Sequence, residues 1–156
     1  MAVVEIAIDD LTGTDTIELL ESHLSEMRRV TPREESVHAL DVDGLRRPEV
    51  SIWTLREDGR LAGCGALKRL DSTHAEIKSM RTAPDFQRRG VAARLLAHIE
   101  AEAAATGLTR LSLETGAEEF FAPARRLYLR SGFVYCEPFG AYVPDPLSVF
   151  MTKKIG

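Results

Sequence analysis

The 156-residue sequence has few of the features that mark several large classes of protein. Its two cysteines, Cys64 and Cys136, lack both a C-x-x-C partner and a nearby histidine, so no zinc or redox site is expected. No stretch of about 18 apolar residues occurs, which predicts no membrane-spanning segment. The N-terminus has neither the basic segment nor the long apolar core of a secretory signal. These absences predict a cytoplasmic protein without a metal centre.

An excess of basic charge is also missing. The chain has 20 lysines and arginines against 24 aspartates and glutamates, a net charge of -4. Nucleic-acid binding needs a basic surface, so no nucleic-acid partner is expected. The nucleotide-binding signatures G-x-x-x-x-G-K-[ST] and G-x-G-x-x-G are absent too, which argues against a phosphate-binding module for another nucleotide. With 44% hydrophobic residues and no repeats or linkers, the sequence predicts a single domain over residues 1–156.

The hydrophobic pattern predicts a mixed sheet with helices on both faces. Predicted strands cover 2–8, 50–56, 61–70, 75–82, 108–114, 133–136 and 148–154, and predicted helices cover 14–29, 89–106 and 120–131. A further short helix over 34–45, interrupted near Asp41, is one interpretation of a less legible segment. Three consecutive strands joined by short turns, one of them Asp58-Gly59, form an antiparallel meander. The expected fold class is therefore α/β (α+β).

The spacing of apolar residues predicts one buried face on each of two helices. The first helix should be capped by Thr14 or Asp15. Its predicted buried stripe is Ile17, Leu20, Leu24 and Met27. The predicted buried face of the helix over 89–106 is Val91, Leu95, Leu96, Ile99 and Ala103, and Gly107 should end that helix.

A basic turn joins the strand over 75–82 to the helix over 89–106, with the sequence Gln87-Arg88-Arg89-Gly90-Val91-Ala92. The free N–H groups and the dipole of a helix N-terminus attract an anion. Gly90 has no Cβ, so a phosphate can approach the backbone closely. These features predict the pyrophosphate site of a coenzyme. Taken alone, the same residues are equally consistent with a solvated basic helix cap. The neighbouring sequence has to distinguish this alternative from a pyrophosphate site.

A second motif, L-Y-L-R-S-G-F, follows about forty residues after Q-R-R-G-V-A. In this order the two resemble the L-Y-x-x-x-G-F and Q/R-x-x-G-x-G/A signatures of the GNAT superfamily of acetyl-CoA-dependent N-acetyltransferases. The resemblance covers about residues 50–154, and the ending C-E-P-F-G-A-Y with S-V-F-M-T-K resembles a small bacterial subgroup. It implies a mostly antiparallel central sheet of about seven strands, which splays apart at the coenzyme site.

The resemblance also implies where the cosubstrate acetyl-CoA binds. Backbone groups of Met80, Arg81 and Thr82 would pair with the pantetheine arm where the sheet splays. The pyrophosphate would be held, mostly by backbone N–H groups, at Arg88, Arg89, Gly90, Val91, Ala92 and Ala93. The sequence departs from the family pattern at two positions. Ala92 occupies the last position of the first signature, and Phe121 stands where an asparagine is common, so one polar contact to the coenzyme arm is missing or replaced.

Transfer to an amine needs a base, a donor for the oxyanion and an acid for the leaving thiolate. The resemblance places the acid at Tyr128, for which a buried core tyrosine is the alternative. Glu114, at the end of a predicted strand near the split, is the first choice of base, acting directly or through water. Glu76 is the second choice, with Lys78 on the same face of its strand. The alternatives are a turn-capping carboxylate at Glu114 and a structural Glu76–Lys78 ion pair.

The sequence leaves the acceptor open between a small-molecule amine and a peptide N-terminus. His38 and Tyr142 are candidates for the acceptor side, although a structural role is expected for each. Arg125, Arg126 and Arg130 share one helix, where a solvated face is favoured over contact with the adenosine phosphate. The leading function is direct acetyl transfer in a ternary complex, and the alternative is a non-catalytic CoA-binding regulatory module. Dimers are frequent among similar proteins, so a homodimer is an open expectation.

Overall fold

A computed structural model describes residues 2–156, and its centre is one seven-stranded sheet. The strands are β1 (Val4–Ile8), β2 (Val50–Glu57), β3 (Arg60–Arg69), β4 (His74–Thr82), β5 (Arg110–Gly116), β6 (Val134–Cys136) and β7 (Ser148–Lys154). Their spatial order is β1-β2-β3-β4-β5-β7-β6. Every neighbouring pair is antiparallel except β4 and β5, which are parallel. The predicted mixed, mostly antiparallel sheet is therefore confirmed.

Four α-helices connect or flank these strands: α1 (Thr14–Val30), α2 (Val42–Leu45), α3 (Val91–Ala105) and α4 (Ala122–Arg130). The predicted helix over 34–45 is wrong. That segment holds a single 3₁₀ turn, Glu34–Ser36, followed by the one-turn helix α2, whose N-cap Asp41 accepts the Gly44 N–H at 2.8 Å. Among residues 2–156, no helix is both long and apolar enough to cross a membrane.

Helix α1 begins at the predicted residue but without the predicted cap, whereas α3 and α4 begin later than predicted. The N-cap of α1 is Gly13, and Asp15 lies inside the first turn, where its carboxylate pairs with Arg56 at 2.7 Å. The predicted side-chain cap is therefore wrong. Helix α3 begins at Val91 rather than near residue 89, because Gly90 adopts a left-handed conformation with φ of 76°. Helix α4 begins at Ala122, because a 3₁₀ turn, Glu119–Phe121, precedes it.

The apolar core forms two clusters, one on each face of the sheet. The first cluster holds the predicted inner face of α3, all five residues of which are buried, together with Tyr128 of α4. The second holds Leu19 and Leu20 of α1 and Leu45 of α2. The predicted stripe of α1 is right for Leu20, whereas Ile17, Leu24 and Met27 are half-buried. Each fully buried leucine or isoleucine contributes about 1.5–3 kcal/mol, so both helical layers stabilise the sheet.

The sheet splits between its two parallel strands. Strands β4 and β5 pair at three positions, which are His74 with Arg110, Ala75 with Leu111, and Glu76 with Ser112. Beyond this ladder β4 continues to Thr82 and pairs with β3, while β5 continues to Gly116 and pairs with β7. Ser79, with φ of 54°, bends β4 where its register with β3 shifts. The predicted splay is therefore present, and it leaves the β5-facing edge of β4 without a neighbouring strand.

Candidate active site

The split opens a cavity of about 610 Å³. Its walls come from the unpaired part of β4, the end of β5, the C-terminal half of α1, residues 36–39 and the start of α4. The titratable side chains on its lining are His23, Glu26, His38, Glu76, Lys78, Arg81, Arg88, Glu114, Glu118 and Tyr128. The fold therefore brings both predicted catalytic residues and the alternative base into one space.

The predicted pantetheine-binding residues Met80, Arg81 and Thr82 line this cavity. They lie on the part of β4 that has no β5 partner, so their backbone groups on that side are free to pair with an extended ligand. The side chains of Met80 and Arg81 leave the strand on opposite faces. Met80 contacts the region of Gly65 and Ile99, whereas Arg81 reaches Glu26 of α1.

The basic turn has the geometry of an anion site. The first helical hydrogen bond of α3 runs from the Arg94 N–H to the Gly90 carbonyl. The N–H groups of Val91, Ala92 and Ala93 therefore have no helical partner. Arg88, with φ of 63°, lines the end of the cavity, whereas residues 89–93 lie outside its lining. An added Cβ at Gly90 would meet no atom within 4 Å, so the space in front of this backbone is open.

The other arginine of the turn is held away from that opening. Arg89 donates to Glu57 at 2.9 Å and stacks over the ring of Phe86, with its guanidinium carbon 5.1 Å from the ring centroid. Of the two arginine side chains, Arg88 is therefore the better placed for an anion at the cavity mouth.

Glu114 lies half-buried near the end of β5 on the cavity lining. Its Oε2 accepts a hydrogen bond from the Ser148 hydroxyl at 2.6 Å. Burial raises the pKa of Glu114 to about 7, although the Ser148 hydrogen bond and the nearby Lys78 charge each lower it. The carboxyl can therefore exchange a proton near neutral pH, which is what a general base requires.

Glu76 is held differently. Its Oε2 accepts hydrogen bonds from Lys78 Nζ at 3.1 Å and from the Tyr142 hydroxyl, and Lys78 Nζ also donates to the Tyr142 oxygen at 3.1 Å. Both charged side chains are less than a tenth exposed. The predicted alternative, a structural Glu76–Lys78 ion pair, is therefore present. This pair is completed by a tyrosine from the loop between β6 and β7.

Tyr128 is a buried residue of α4 whose ring packs at an angle against Phe133, with centroids 5.8 Å apart. It also lines the cavity, and its hydroxyl makes no hydrogen bond to the described part of the chain. Burial, and secondarily the nearby Glu114 charge, raise the pKa of Tyr128 above its ordinary value. The hydroxyl therefore stays protonated and is free to donate a hydrogen bond inside the cavity.

The remaining predicted residues occupy the edges of the site. His38 lines the cavity and packs edge-on against Tyr142, with ring centroids 5.0 Å apart. Burial, and next the Lys78 charge, lower the pKa of His38. Arg125 donates to the carbonyls of Gly116 and Glu118 at 2.6 and 2.8 Å. The solvated face predicted for Arg125 is therefore wrong, because its guanidinium holds the connection between β5 and α4.

Phe121, at the position where the resemblance expected an asparagine, forms an apolar part of the cavity wall. It packs edge-on against Phe120 with ring centroids 5.0 Å apart. A Cβ added at Gly116 would collide with the Phe121 ring, so the glycine at the end of β5 provides the room for this aromatic side chain. The cavity wall at this position is therefore apolar, where an asparagine would make it polar.

The sequence interpretation missed the side-chain contacts of Ser148, Arg81, Glu26 and His23. Ser148 binds Glu114 across 34 residues of sequence, and Arg81 forms an ion pair with Glu26 across 55 residues. His23 is half-buried beside this pair, and desolvation lowers the pKa of His23 to about 4. No spacing along the chain marks such contacts, because each joins elements that meet only in the folded molecule.

The structure also describes the cysteines and the potential metal ligands. Cys64 is fully buried, and burial raises the pKa of its thiol to about 12. Cys136 is half-buried on β6, and neither cysteine lines the cavity. Between residues 2 and 156 there is no group of three His, Cys, Asp or Glu side chains arranged to hold a metal ion.

Comparisons with known proteins agree with this geometry. The Acetyltransferase (GNAT) family model matches residues 14–133. The chain is 54% identical over 150 residues to the uncharacterized N-acetyltransferase YsnE of Bacillus subtilis, covering 96% of this chain and 99% of that protein. It is also 50% identical over 150 residues to the uncharacterized N-acetyltransferase YedL of Escherichia coli, covering 96% and 94% of the two chains. The chain therefore belongs to the GNAT acetyltransferase family.

Solved structures show the same fold. A Klebsiella pneumoniae structure, assigned as an acyl-CoA N-acyltransferase, superposes with a TM-score of 0.79 at 27% identity and covers 99% of both chains. Together with the family match, this establishes the chain as an acetyl-CoA-dependent N-acetyltransferase with the GNAT fold. The non-catalytic regulatory alternative is not favoured.

Proposed function

We propose that the enzyme transfers acetyl from acetyl-CoA to a primary amine by direct attack in a ternary complex, with Glu114 as base and Tyr128 as acid. One observation carries the proposal. At the split of the sheet, a carboxyl whose pKa is about 7 shares a cavity with a tyrosine hydroxyl that stays protonated. A base and an acid with opposite protonation at neutral pH are what thioester aminolysis needs.

The donor site consists of two adjoining parts. The free edge of β4 at Met80, Arg81 and Thr82 would hold the pantetheine arm as an added strand. The turn from Arg88 to Ala93 would hold the pyrophosphate, mainly through the unpaired N–H groups of the first α3 turn. The open space in front of Gly90 supports this assignment, because a bulky phosphate can reach the backbone there.

Glu114 is preferred over Glu76 as the base because the two carboxylates have different partners. Glu76 is bonded to a lysine ammonium and a tyrosine hydroxyl. Among the described residues, Glu114 has only the neutral Ser148 hydroxyl as a hydrogen-bond partner, and burial raises its pKa to about 7. Glu114 is therefore assigned to removing a proton from the acceptor amine, directly or through a water, and Glu76 to the ion pair with Lys78.

Tyr128 would donate its proton, or a hydrogen bond, to the sulfur of the departing CoA. The hydroxyl has no competing partner in the described chain. Direct transfer is favoured over an acetylated cysteine. Thioester exchange needs a thiolate, and the Cys64 thiol is fully buried with its pKa at about 12.

The experiment that tests this assignment is a pH profile of kcat/KM, measured by release of free CoA with two amines of different basicity. One acid limb should move with the amine, and a second, near pH 7, should stay in place because it belongs to Glu114. Glu114→Gln should remove the fixed limb and lower kcat about 100-fold or more. Ser148→Ala should move that limb to higher pH by roughly half a unit to one unit, because a lost hydrogen bond of about 1 kcal/mol favours the neutral carboxyl.

Two controls make the profile specific. Glu118→Gln removes an exposed carboxylate from the same cavity rim and should leave the fixed limb in place. Ser148→Thr keeps the hydroxyl donor, so its fixed limb should lie at the wild-type pH, unlike that of Ser148→Ala. If Glu114→Gln retained both the rate and the limb near pH 7, the base would have to be another group.

A further inference from the structure

Arg81 has hydrogen-bonding capacity that the folded chain does not use. Its side chain is 13% exposed and lines the cavity on the α1 side. Among the described residues its guanidinium bonds only Glu26, through Nη1. A guanidinium has five N–H donors in a planar fork. In Arg81 the Nε donor is buried without a partner, and Nη2 makes no hydrogen bond to the described residues.

A purely structural ion pair does not account for this arrangement. A buried arginine stabilises a fold when its donors are all bonded, and each buried unpaired donor costs about 1–3 kcal/mol. Arg81 makes a one-point contact where an arginine and a carboxylate commonly make two. Glu26 is also shared, because Arg29 approaches its other oxygen at 3.7 Å. The unused donors therefore need another explanation.

We infer that Arg81 binds a carboxylate of the acceptor, so that the acceptor class is a primary amine that also carries a carboxylate. This inference rests on the proposed function. It distinguishes between the two acceptor classes that the sequence leaves open. A small amino carboxylate presents both groups, whereas a peptide N-terminus has no carboxylate next to its amine.

The charges around the cavity match such a molecule. Glu76 and Lys78 neutralise one another, and Glu114 stands at the amine end without a cation bonded to it. Arg81 follows Lys78 by three residues along β4, a separation of about 10 Å at the usual strand rise. Both residues line the same cavity as Glu114. An amino carboxylate would place its amine at Glu114 and its carboxylate at Arg81.

His23, the neighbour of Arg81, carries no charge at physiological pH, so it neither repels the arginine nor competes with it for an anion. His23 lies beside the guanidinium, and burial holds its pKa at about 4, so its ring is neutral at physiological pH. Glu26 would repel the incoming carboxylate, and it already occupies Nη1 of Arg81. Glu26 therefore competes with the acceptor, and removing its charge should tighten acceptor binding.

A different ligand group could use the same donors. The amide carbonyls of the pantetheine arm would pass along β4, and Arg81 is one of the residues assigned to that edge. A contact to the coenzyme would change the KM for acetyl-CoA equally with every acceptor. A contact to the acceptor carboxylate would change the preference between acceptors. The two kinds of contact are distinguished by the ratio of kcat/KM for an acid acceptor to kcat/KM for its amide. An effect on coenzyme binding changes both values equally and cancels in this ratio.

The test measures kcat/KM for free-CoA release with matched acid and carboxamide pairs: glycine and glycinamide, β-alanine and its amide, aspartate and asparagine, glutamate and glutamine. For at least one pair the wild-type acid-to-amide ratio should be about ten or more, because a charge-assisted contact is being lost. Arg81→Gln should bring that ratio close to one. Arg81→Lys should give an intermediate ratio, since it keeps the charge but not the fork.

Two further variants test the inference in the opposite direction. Glu26→Gln should lower the KM for the preferred acid several-fold, because it frees Nη1. Arg29→Gln is the matched control: it removes a cation from the same Glu26 but does not line the cavity, and its ratio should equal that of the wild type. Each variant is compared by thermal unfolding, so that Arg81→Lys and Glu26→Gln still decide the question if Arg81→Gln does not fold.

The failures can be told apart. If no amine in the panel or in a set of amines lacking carboxylates is acetylated while CoA still binds, the proposed function itself is wrong. If amines are acetylated with no preference for a carboxylate, only the present inference is wrong. It is also overturned if Arg81→Gln leaves the acid-to-amide ratio unchanged and raises only the KM for acetyl-CoA.

Discussion

The ionised form of Glu114 lowers the free energy of unfolding, because its carboxylate is removed from water. Burial raises the pKa of its carboxyl from 4.5 to about 7. Below pH 4.5 the group is protonated in both the folded and the unfolded chain, so it has no differential effect. Between pH 4.5 and 7 only the unfolded chain ionises readily, and above pH 7 the folded state carries the full penalty of about 3 kcal/mol. A residue that is useful as a base is therefore destabilising at neutral pH.

We predict that Glu114→Gln gains stability relative to the wild type as the pH rises. The free energy of unfolding, measured with urea at pH 5 and pH 8, should favour the variant by up to about 3 kcal/mol more at pH 8. Glutamine keeps an oxygen that can accept the Ser148 hydroxyl, so little packing is lost. Glu118→Gln, at an exposed position, should show no such trend. An equal difference at both pH values would mean that Glu114 does not titrate near 7.

The sequence predicts the two candidate catalytic residues but not their partners. Glu114 and Tyr128 were predicted because one ends a strand and the other belongs to a recognisable motif. Ser148 begins β7 and Tyr142 lies in the loop before it, and folding alone brings them to Glu114 and Glu76. The side chain of Arg81 was equally hidden. The bulge at Ser79 shifts the register of β4 before Arg81, and no spacing rule predicts that shift.

At the level of elements, β3 controls the position of the donor site. Gly63 pairs with Thr82 of β4 and lies under the first residue of α3. A Cβ added at Gly63 would lie 2.8 Å from Val91 Cγ1 and 2.9 Å from the Arg81 carbonyl oxygen. Backbone contacts this short are not tolerated, so the strand or the helix would have to move. Either movement displaces the β4 edge or the helix N-terminus that we assign to the coenzyme.

We therefore predict that Gly63→Ala weakens CoA binding as well as stability. The overpacking should cost about 1–3 kcal/mol of unfolding free energy. The Kd for CoA, measured by calorimetry on the folded variant, should rise at least several-fold. Gly59→Asn is the matched control in the turn that leads into the same strand. An added Cβ meets nothing there, and asparagine tolerates its φ of 80°. If Gly63→Ala bound CoA with unchanged affinity, the packing of β3 would not determine the geometry of the donor site.

The types of element were easier to predict than their ends. The long apolar pattern of α3 identified its whole inner face, because five residues at helical spacing leave one arrangement. The ends depended on backbone conformation instead. The left-handed Gly90 delays the start of α3, and isolated 3₁₀ turns precede both α3 and α4. In residues 33–48 the apolar side chains recur with neither the helical nor the strand period. The short turns of this segment are defined by contacts with other segments, such as Ser36 with Asp145.

At the scale of the whole molecule, the split divides the sheet into two antiparallel parts. Strands β1 to β4 form one part and β5 to β7 the other, and three residue pairs join them. The helix α3 and the first apolar cluster bridge the parts from one face. A cavity of about 610 Å³ lies where further strand pairing would otherwise be. A ligand that pairs with β4 in this cavity therefore joins the two parts.

We predict that CoA stabilises the whole chain, whereas ATP and NAD do not. At a CoA concentration 100 times its Kd, the folded state gains about 2.7 kcal/mol, which should raise Tm by about 5–10 °C for a chain of this size. Differential scanning fluorimetry with CoA, ATP and NAD at matched concentrations measures this directly. ATP and NAD share phosphates with CoA but lack the pantetheine arm that would pair with β4 across the split. Equal stabilisation by ATP would show that the turn at Arg88–Ala93 alone binds the ligand, and no stabilisation by CoA would contradict the assignment of the whole donor site.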